Sequence, residues 1–380
     1  MIHFEEIHKK YSTAKEVVKN LNFKVKKGEI CVLIGPSGCG KSTTLRMINR
    51  LIEPTSGQIY IDGKSIYDFK ASELRRSIGY AIQEVALFPH MTVAENIGIV
   101  PSLKKWSKND KQKRIEDLLD LIGLDPNLYK NKYPNELSGG ERQRIGVARA
   151  MGINPPILLM DEPFGAVDPI TRSRLQDELL IIQEKIQKTI IFVTHDIDEA
   201  LKMGDKIAIM KDGKLVQFDI PKNILTHPAN DFVKEFMGDN RMFKWLQLTR
   251  VEDVMLNKPL MVLSNDKANV TLAKMYKNTI SCCLVVDEAG ELVGSVYKKD
   301  LINAKAMSIR QFIHPIADVV TRKTTVADSF FHMINRKTNF LVVVDNKNKI
   351  EGLITLNILN RYMNEINGFE IDERRQAFDA

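Results

Sequence analysis

No apolar run in these 380 residues reaches the ~18 positions that a membrane-crossing helix needs, so nothing in the chain reads as a bilayer span. Cysteine is scarce too. Cys31, Cys39, Cys282 and Cys283 have neither disulfide-framework nor zinc-site spacing, which suits a reducing cytosol. Cys282 and Cys283 are neighbours on an expected strand and face opposite ways, so core filling is the reading rather than a bridge. Met1-Ile2-His3-Phe4-Glu5-Glu6 places acids where a secretory leader has a basic head and an apolar stretch, so no leader is expected. Nor is there a strong excess of one charge. The net +7 is spread along the chain except for Lys104, Lys105, Lys108, Lys111, Lys113 and Arg114. That run reads as a solvated helix face, with lipid head groups or a membrane partner as the competing reading.

What is present is enough apolar residue, 44%, to build real cores, in a chain long enough for two or three domains. Residues 2–8 and 21–26 read as short strands. Ile30 to Ile34 is an unbroken apolar run, as in a strand buried on both faces. A helix is expected over 41–51, a hairpin strand over 57–63, and mostly helix from Pro89 to about Met151. Strands at 157–161 and 189–194 then alternate with helices at 169–187 and 196–203, which predicts a parallel sheet. A closing helix over 228–237 is broken by Gly238-Asp239-Asn240.

Four constellations carry chemistry. Gly35-Pro36-Ser37-Gly38-Cys39-Gly40-Lys41-Ser42-Thr43 ends a strand and opens a helix, the setting of a phosphate-cradling loop. Its glycines let backbone N–H groups turn inward, and the helix N-terminus adds partial positive charge at the same place. Lys41 supplies a full charge to the β- and γ-phosphates, and the Ser42 hydroxyl suits Mg²⁺. Cys39 reads as a small filler, with a redox switch as the alternative. Asp161 and Glu162 end an apolar strand and point in different directions. Asp161 is placed to hold Mg²⁺ through water, and Glu162 to polarise a water in line with the γ-phosphate. Gln83, at the end of the 77–82 strand, reaches metal and attacking water. His195, after the 189–194 strand, donates to the γ-phosphate and holds Glu162. The fourth constellation is Leu137-Ser138-Gly139-Gly140-Glu141-Arg142-Gln143, a second anion-binding helix start with one phosphate loop in the chain to serve.

In this order and spacing the motifs resemble the ATP-binding subunit of an ATP-binding cassette (ABC) transporter over residues 1 to about 240. The resemblance implies an α/β fold, a P-loop NTPase cassette with a RecA-like core, an antiparallel β subdomain and a helical subdomain. It implies ATP and Mg²⁺ as ligands. It also implies a head-to-tail homodimer, in which Ser138, Gly139 and Gly140 of one copy cap the ATP held by the other. Tyr11 stands where an aromatic ring stacks on adenine, a surface tyrosine being the alternative. Asp168, in Gly165-Ala166-Val167-Asp168, matches the loop that crosses the dimer interface.

Beyond residue 240 the chain repeats itself. From Asp287 to Asp345, and from Gly294 to Gly352, the step is 58 residues. The two units resemble tandem cystathionine-β-synthase (CBS) domains, a Bateman module. The expected division is 1–240 for the cassette, 241–250 for a linker, 251–305 and 308–366 for the two CBS units, and 367–380 for a tail. A cassette followed by this pair resembles importers of glycine betaine, carnitine, choline or a related betaine such as ergothioneine. Partners so implied are two membrane-spanning permease subunits, engaged through the groove from Gln83 to Trp106, and an external solute-binding protein or domain. No nucleic-acid partner is implied, and the expected location is the cytoplasmic face of a bacterial membrane. Because the cassette of such importers does not bind the solute, Trp106 and Trp245 are assigned to packing or partner contacts rather than to a cation–π cage. The CBS nucleotide pattern is incomplete. Tyr297-x-x-Asp300 and Thr355-x-x-Ile358 each keep one of the two expected groups, which favours a cyclic dinucleotide or an ionic-strength response over simple AMP or ATP. The competing functions are import of another solute such as an amino acid, a soluble ABC ATPase acting on ribosomes or DNA, and a sensor with an inactive cassette.

Overall fold

Three strands without surface exposure fix the architecture: β3 (Ile30–Ile34), β7 (Ile157–Asp161) and β8 (Thr189–Val193) are buried at every position. Strands of that kind need cover on both faces, which parallel sheets flanked by helices provide. The computed structural model describes residues 1–11, 16–81, 87–165, 168–278, 280–304, 306–345 and 348–367. It divides into two units: Met1–Ile224 with Pro228–Met237, and Leu225–His227 with the chain from Gly238 onward.

In the first unit the remaining strands are β1 (Ile2–Lys10), β2 (Glu16–Val25), β4 (Ser56–Ile61), β5 (Lys64–Ser65), β6 (Ile78–Ala81), β9 (Lys206–Lys211) and β10 (Lys214–Asp219). Among the described residues, six of these ten strands form a sheet in the order β10-β9-β3-β8-β7-β6, parallel apart from β10 at the edge. Because β3, β8 and β7 are neighbours, their C-terminal ends emerge side by side, where ligands of open α/β sheets bind. The other four form an antiparallel sheet, β2-β1-β4-β5. Its inward residues Ile2, Phe4, Ile7, Val18, Leu21 and Ile59 are fully buried and pack with Leu45 and Met47 of the helix Lys41–Ile48 in one core.

Between β6 and β7 the chain is largely helical: Val93–Leu103, Lys108–Leu121 and Gly139–Ala150. The basic run lies on and before the second of these, whose Ile115, Leu118 and Leu119 face inward. Arg114 departs from the expected solvated face. Its guanidinium donates to the carbonyls of Met151 (2.8 Å) and Gly152 (3.2 Å), closing the end of the helix Gly139–Ala150.

The second unit realises the repeat in strand order and residue register. Strands β11 (Met261–Leu263), β12 (Cys282–Val286) and β13 (Leu292–Tyr297) form one sheet, and β14 (Val319–Val320), β15 (Phe340–Val344) and β16 (Ile350–Thr355) another. Leu284 faces Ser295 as Val342 faces Leu353, and Val285 faces Gly294 as Val343 faces Gly352. The copies also exchange bridges. The Ser295 amide donates to the His314 carbonyl at 2.9 Å, and the Leu353 amide to the Leu256 carbonyl at 3.0 Å. A methyl group on Gly294 would stand 2.5 Å from the His314 oxygen, and one on Gly352 2.8 Å from the Leu256 oxygen. The glycines recur at the repeat interval because each copy's hairpin presses on the other copy's leading segment.

The segment expected as a linker is ordered differently. Arg241–Leu248 is a helix, and Trp245, 1% exposed, stacks near Tyr362 with ring centroids 6.1 Å apart. The polar break at Gly238-Asp239-Asn240 marks the change of unit, and the apolar face that follows belongs to the second core. Cys282 and Cys283 are thiols, and burial pushes both up to about 12.

Candidate functional site

At the C-terminal edge of the parallel sheet lies a cavity of about 340 Å³. Ser37, Gly38, Gly40, Lys41, Ser42 and Thr43 line one side, and Glu162 and His195 the other. Residues more than 150 positions apart in sequence therefore share one chamber because β3, β8 and β7 are adjacent.

The loop side is shaped by backbone that a side chain would obstruct. Gly35 has φ +147°, and a methyl group there would lie 2.1 Å from the Met210 carbonyl oxygen. Gly40 caps the helix in the left-handed region at φ 103°. Lys41 is almost fully buried, and its ammonium donates to the carbonyls of Gly35 (2.7 Å) and Pro36 (3.0 Å). A lysine folded over its own loop places a full charge where that loop's amides converge. Cys39 is buried. Burial raises its thiol pKa, and the nearby Lys41 only partly opposes the rise, which matches a filler rather than a thiolate.

On the opposite side, the Asp161 carboxylate is 1% exposed, and its Oδ1 accepts a 2.9 Å hydrogen bond from the Ser42 hydroxyl. A hydroxyl and a carboxylate held together are hard oxygen donors of the kind Mg²⁺ takes, so the residues present fit that ion. Glu162 follows in an unusual conformation. Its φ of 48° is in the left-handed region, at a cost on the order of 1 kcal/mol. Its amide donates to the Val193 carbonyl at 2.9 Å, so the β7–β8 ladder continues while the side chain turns into the cavity. His195 Nδ1 lies 3.4 Å from Glu162 Oε2. Asp196, next along, caps the helix Ile197–Met203, and the buried Thr194 hydroxyl donates to Glu199 at 2.6 Å.

Other expected residues lie elsewhere. Ser138, Gly139 and Gly140 do not line this cavity. Ser138 caps the helix Gly139–Ala150 in a reciprocal arrangement with Glu141, whose carboxyl is held below its usual range by the Tyr129 hydroxyl and then by the Ser138 amide. A methyl group on Gly139 would meet no atom of the described residues within 4 Å. Asp168 caps the helix Pro169–Ile186 through the Thr171 amide at 3.0 Å, a bond that lowers its carboxyl pKa. Beside it Ile170 is 86% exposed. Tyr11 is exposed at the end of β1, with the Lys9 ammonium 5.0 Å from its ring centre. Gln83 lies outside the described residues.

Sequence reasoning missed two polar contacts. Gln143 donates to the Pro163 carbonyl, tying the Ser138 helix to the turn after Glu162. Arg46 meets Asp161, with Nη2 3.3 Å from Oδ2. The signal for Arg46 was its spacing: four residues after Ser42 on one helix puts both on the same face.

Residues 18–165 match the ABC transporter family, and residues 251–306 and 309–365 each match the CBS domain. The carnitine transport ATP-binding protein OpuCA of Listeria monocytogenes is 44% identical over 93% of this chain and 90% of its own length. The choline transport ATP-binding protein OpuBA of Bacillus subtilis is 42% identical over 93% of this chain and 94% of its own. The osmoprotectant import ATP-binding protein OsmV of Salmonella typhimurium is 40% identical, covering 96% of both chains. Among solved structures, the dimeric post-hydrolysis state of an ATP-binding cassette bound to ADP and Pi is similar at 35% identity and TM-score 0.53, over 58% of this chain and 99% of that one. The cbiO1 subunit of a Clostridium perfringens ABC transporter complex is similar at 29% identity and TM-score 0.56, over 60% of this chain and 91% of that one.

Proposed function

Since this chain belongs to the ATP-binding subunits of ABC transporters, with tandem CBS domains behind its cassette, we propose that it powers uptake of a trimethylammonium osmolyte. Carnitine and choline, the solutes in its relatives' names, define that class, and glycine betaine and related betaines share its chemistry. The observation that carries the ATPase reading is the convergence of the phosphate loop, Glu162 and His195 on one cavity.

The backbone N–H groups of the Gly35–Thr43 loop other than Pro36, which has none, and the Lys41 ammonium hold the phosphates of ATP. Ser42, Asp161 and Gln83 hold Mg²⁺, which when bound neutralises charge on the β- and γ-phosphate oxygens. Glu162 orients a water and takes its proton as the water attacks the γ-phosphorus, the bond to the β,γ-bridging oxygen breaks, and ADP and phosphate leave. His195 steadies the Glu162 carboxylate and donates to the γ-phosphate. Tyr11 stacks on the adenine.

Ser138, Gly139 and Gly140 act on the ATP of a second copy, docked head to tail. Two features support this: these residues do not line their own chain's cavity, and a methyl group on Gly139 would meet none of the described residues within 4 Å. Asp168 and the exposed Ile170 lie on the same interface. The exposed apolar side chains of Phe88, Leu103 and Trp106 form the surface for two permease subunits at the cytoplasmic face of the membrane. An external solute-binding protein or domain completes the importer.

The division of labour is 1–240 for ATP and 251–305 with 308–366 for control. For the control module we favour a cyclic adenine dinucleotide. Asp300 is taken by His314 Nε2 at 2.8 Å, and the Thr355 hydroxyl accepts from the Ile358 amide at 3.2 Å, so neither copy offers a free ribose-binding pair. Calorimetry of the whole chain with cyclic di-AMP tests that ligand, and no heat at high micromolar concentration rules it out. The importer reading is tested on the purified complex with its permease. A trimethylammonium solute is expected to stimulate ATP hydrolysis, and stimulation by an amino acid alone would replace the solute class.

A further inference from the structure

The Asp161 carboxylate, at 1% exposure, has two partners with different positions in the helix Lys41–Ile48. Ser42, in the first turn, holds Oδ1 at 2.9 Å. Arg46, one turn later, reaches Oδ2 with Nη2 at 3.3 Å and is itself 46% exposed. Behind them Tyr80 of β6 is half-buried against the same guanidinium. A buried carboxylate loses its water shell, and a charged donor at fixed geometry replaces lost hydrogen bonding and fixes the carboxylate's orientation. Ser42 does not supply this, because its hydroxyl is neutral and belongs to the proposed metal ligands. Arg46 touches the oxygen that the Ser42 hydroxyl leaves over, from a helix that the loop already anchors.

We propose that Arg46 is a positioning residue for the magnesium half-site, aiming the Asp161 carboxylate so that the ion finds it ready. The inference rests on Asp161 serving the metal. Arg46 is not among the residues that line the phosphate-loop cavity. It acts through Asp161 as an outer partner orients a metal ligand, and removing such partners costs about tenfold or more in metal affinity. The expected phenotype is therefore specific to the ion: ATP affinity at saturating Mg²⁺ stays put while the Mg²⁺ needed for half-maximal effect rises.

The test uses the full chain carrying Glu162→Gln, so that ATP binding is read without turnover. Nucleotide affinity is titrated against Mg²⁺ for Arg46→Met, Arg46→Lys and Asp161→Asn, alongside the thermal midpoint in chelator. Arg46→Met is expected to raise the half-saturating Mg²⁺ by about tenfold. Arg46→Lys is expected to recover part of that loss, because it restores charge without the planar fork. A lower thermal midpoint with unchanged Mg²⁺ dependence would make Arg46 merely structural and overturn the proposal. A fall in half-saturating Mg²⁺ would also overturn it, by making Arg46 a competitor of the ion. If Asp161→Asn leaves the Mg²⁺ dependence untouched, the metal assignment fails. If Asp161→Asn shifts it and Arg46→Met does not, only the role of Arg46 falls.

Discussion

The chain holds two glycine-rich helix starts, and they are built for different reasons. In the Gly35–Gly40 loop, added methyl groups would strike the chain's own backbone: 2.1 Å from the Met210 oxygen at Gly35 and 2.7 Å from the Val17 oxygen at Gly40. At the second start, a methyl group on Gly139 meets none of the described residues within 4 Å, and one on Gly140 meets the Thr171 side chain at 3.1 Å. Packing within the chain therefore requires the first pair of glycines, while in the second pair Gly139 has no such reason among the described residues. In the proposed reading, the first start makes a site that one copy contains, and the second makes a surface for close approach by a second copy. That asymmetry is the physical basis for reading the ATPase as a pair of copies.

The largest expected effect fixes the comparison in its paired state. Glu162→Gln should lower turnover by on the order of 10³-fold, the contribution of a general base, while ATP-bound pairs accumulate. Steady-state hydrolysis and light scattering read both, and normal turnover would remove Glu162 as the base. Next, the two glycine sites should separate cleanly. Gly35→Ala is expected to cost about 3 kcal/mol in urea unfolding, because its methyl group meets backbone that does not yield. Gly139→Ala should change stability by no more than about 0.5 kcal/mol, yet slow hydrolysis by about tenfold or more by holding the signature amides off the phosphate. Equal losses of stability at both positions would erase the contrast.

A smaller effect extends the comparison to the repeated module. Gly294→Ala is expected to destabilise that unit by about 1–3 kcal/mol through its clash with His314, leaving ATP affinity of the cassette unchanged. The two unfolding steps of a denaturant series report each unit separately. The smallest effect is at Cys39. Cys39→Ala should keep turnover within about twofold and leave peroxide sensitivity unchanged, since burial raises the thiol pKa and keeps it protonated. A variant that became resistant to oxidation would favour the redox reading instead.

Much of this arrangement is legible from residues alone, because local rules and tertiary demands agree there. Ile30–Ile34 has no polar residue, so it must be covered on both faces, and the glycine loop after it can only begin a helix. The repeat interval between Gly294 and Gly352 predicts two equal units, and the strand registers follow it. Other features depend on contacts that no spacing encodes. The left-handed turn at Glu162 goes with the hydrogen bond that its amide donates to the carbonyl of Val193, a residue on a different strand. Arg114 looked like one more solvated charge until the carbonyls at the end of a distant helix appeared beside it. The helix Arg241–Leu248 follows a glycine and two polar residues, so its sequence reads as a tether. Its Trp245 is ordered by a core formed much later in the chain.

The central claim is most directly tested by co-expressing two inactive chains and purifying mixed dimers. One chain carries Lys41→Ala with an intact Ser138, and the other carries Ser138→Arg with an intact Lys41. The account predicts that ATP hydrolysis, absent from either chain alone, returns in the mixed dimer, where one loop meets one working signature from its partner. Mixed dimers as inactive as their parents would contradict it.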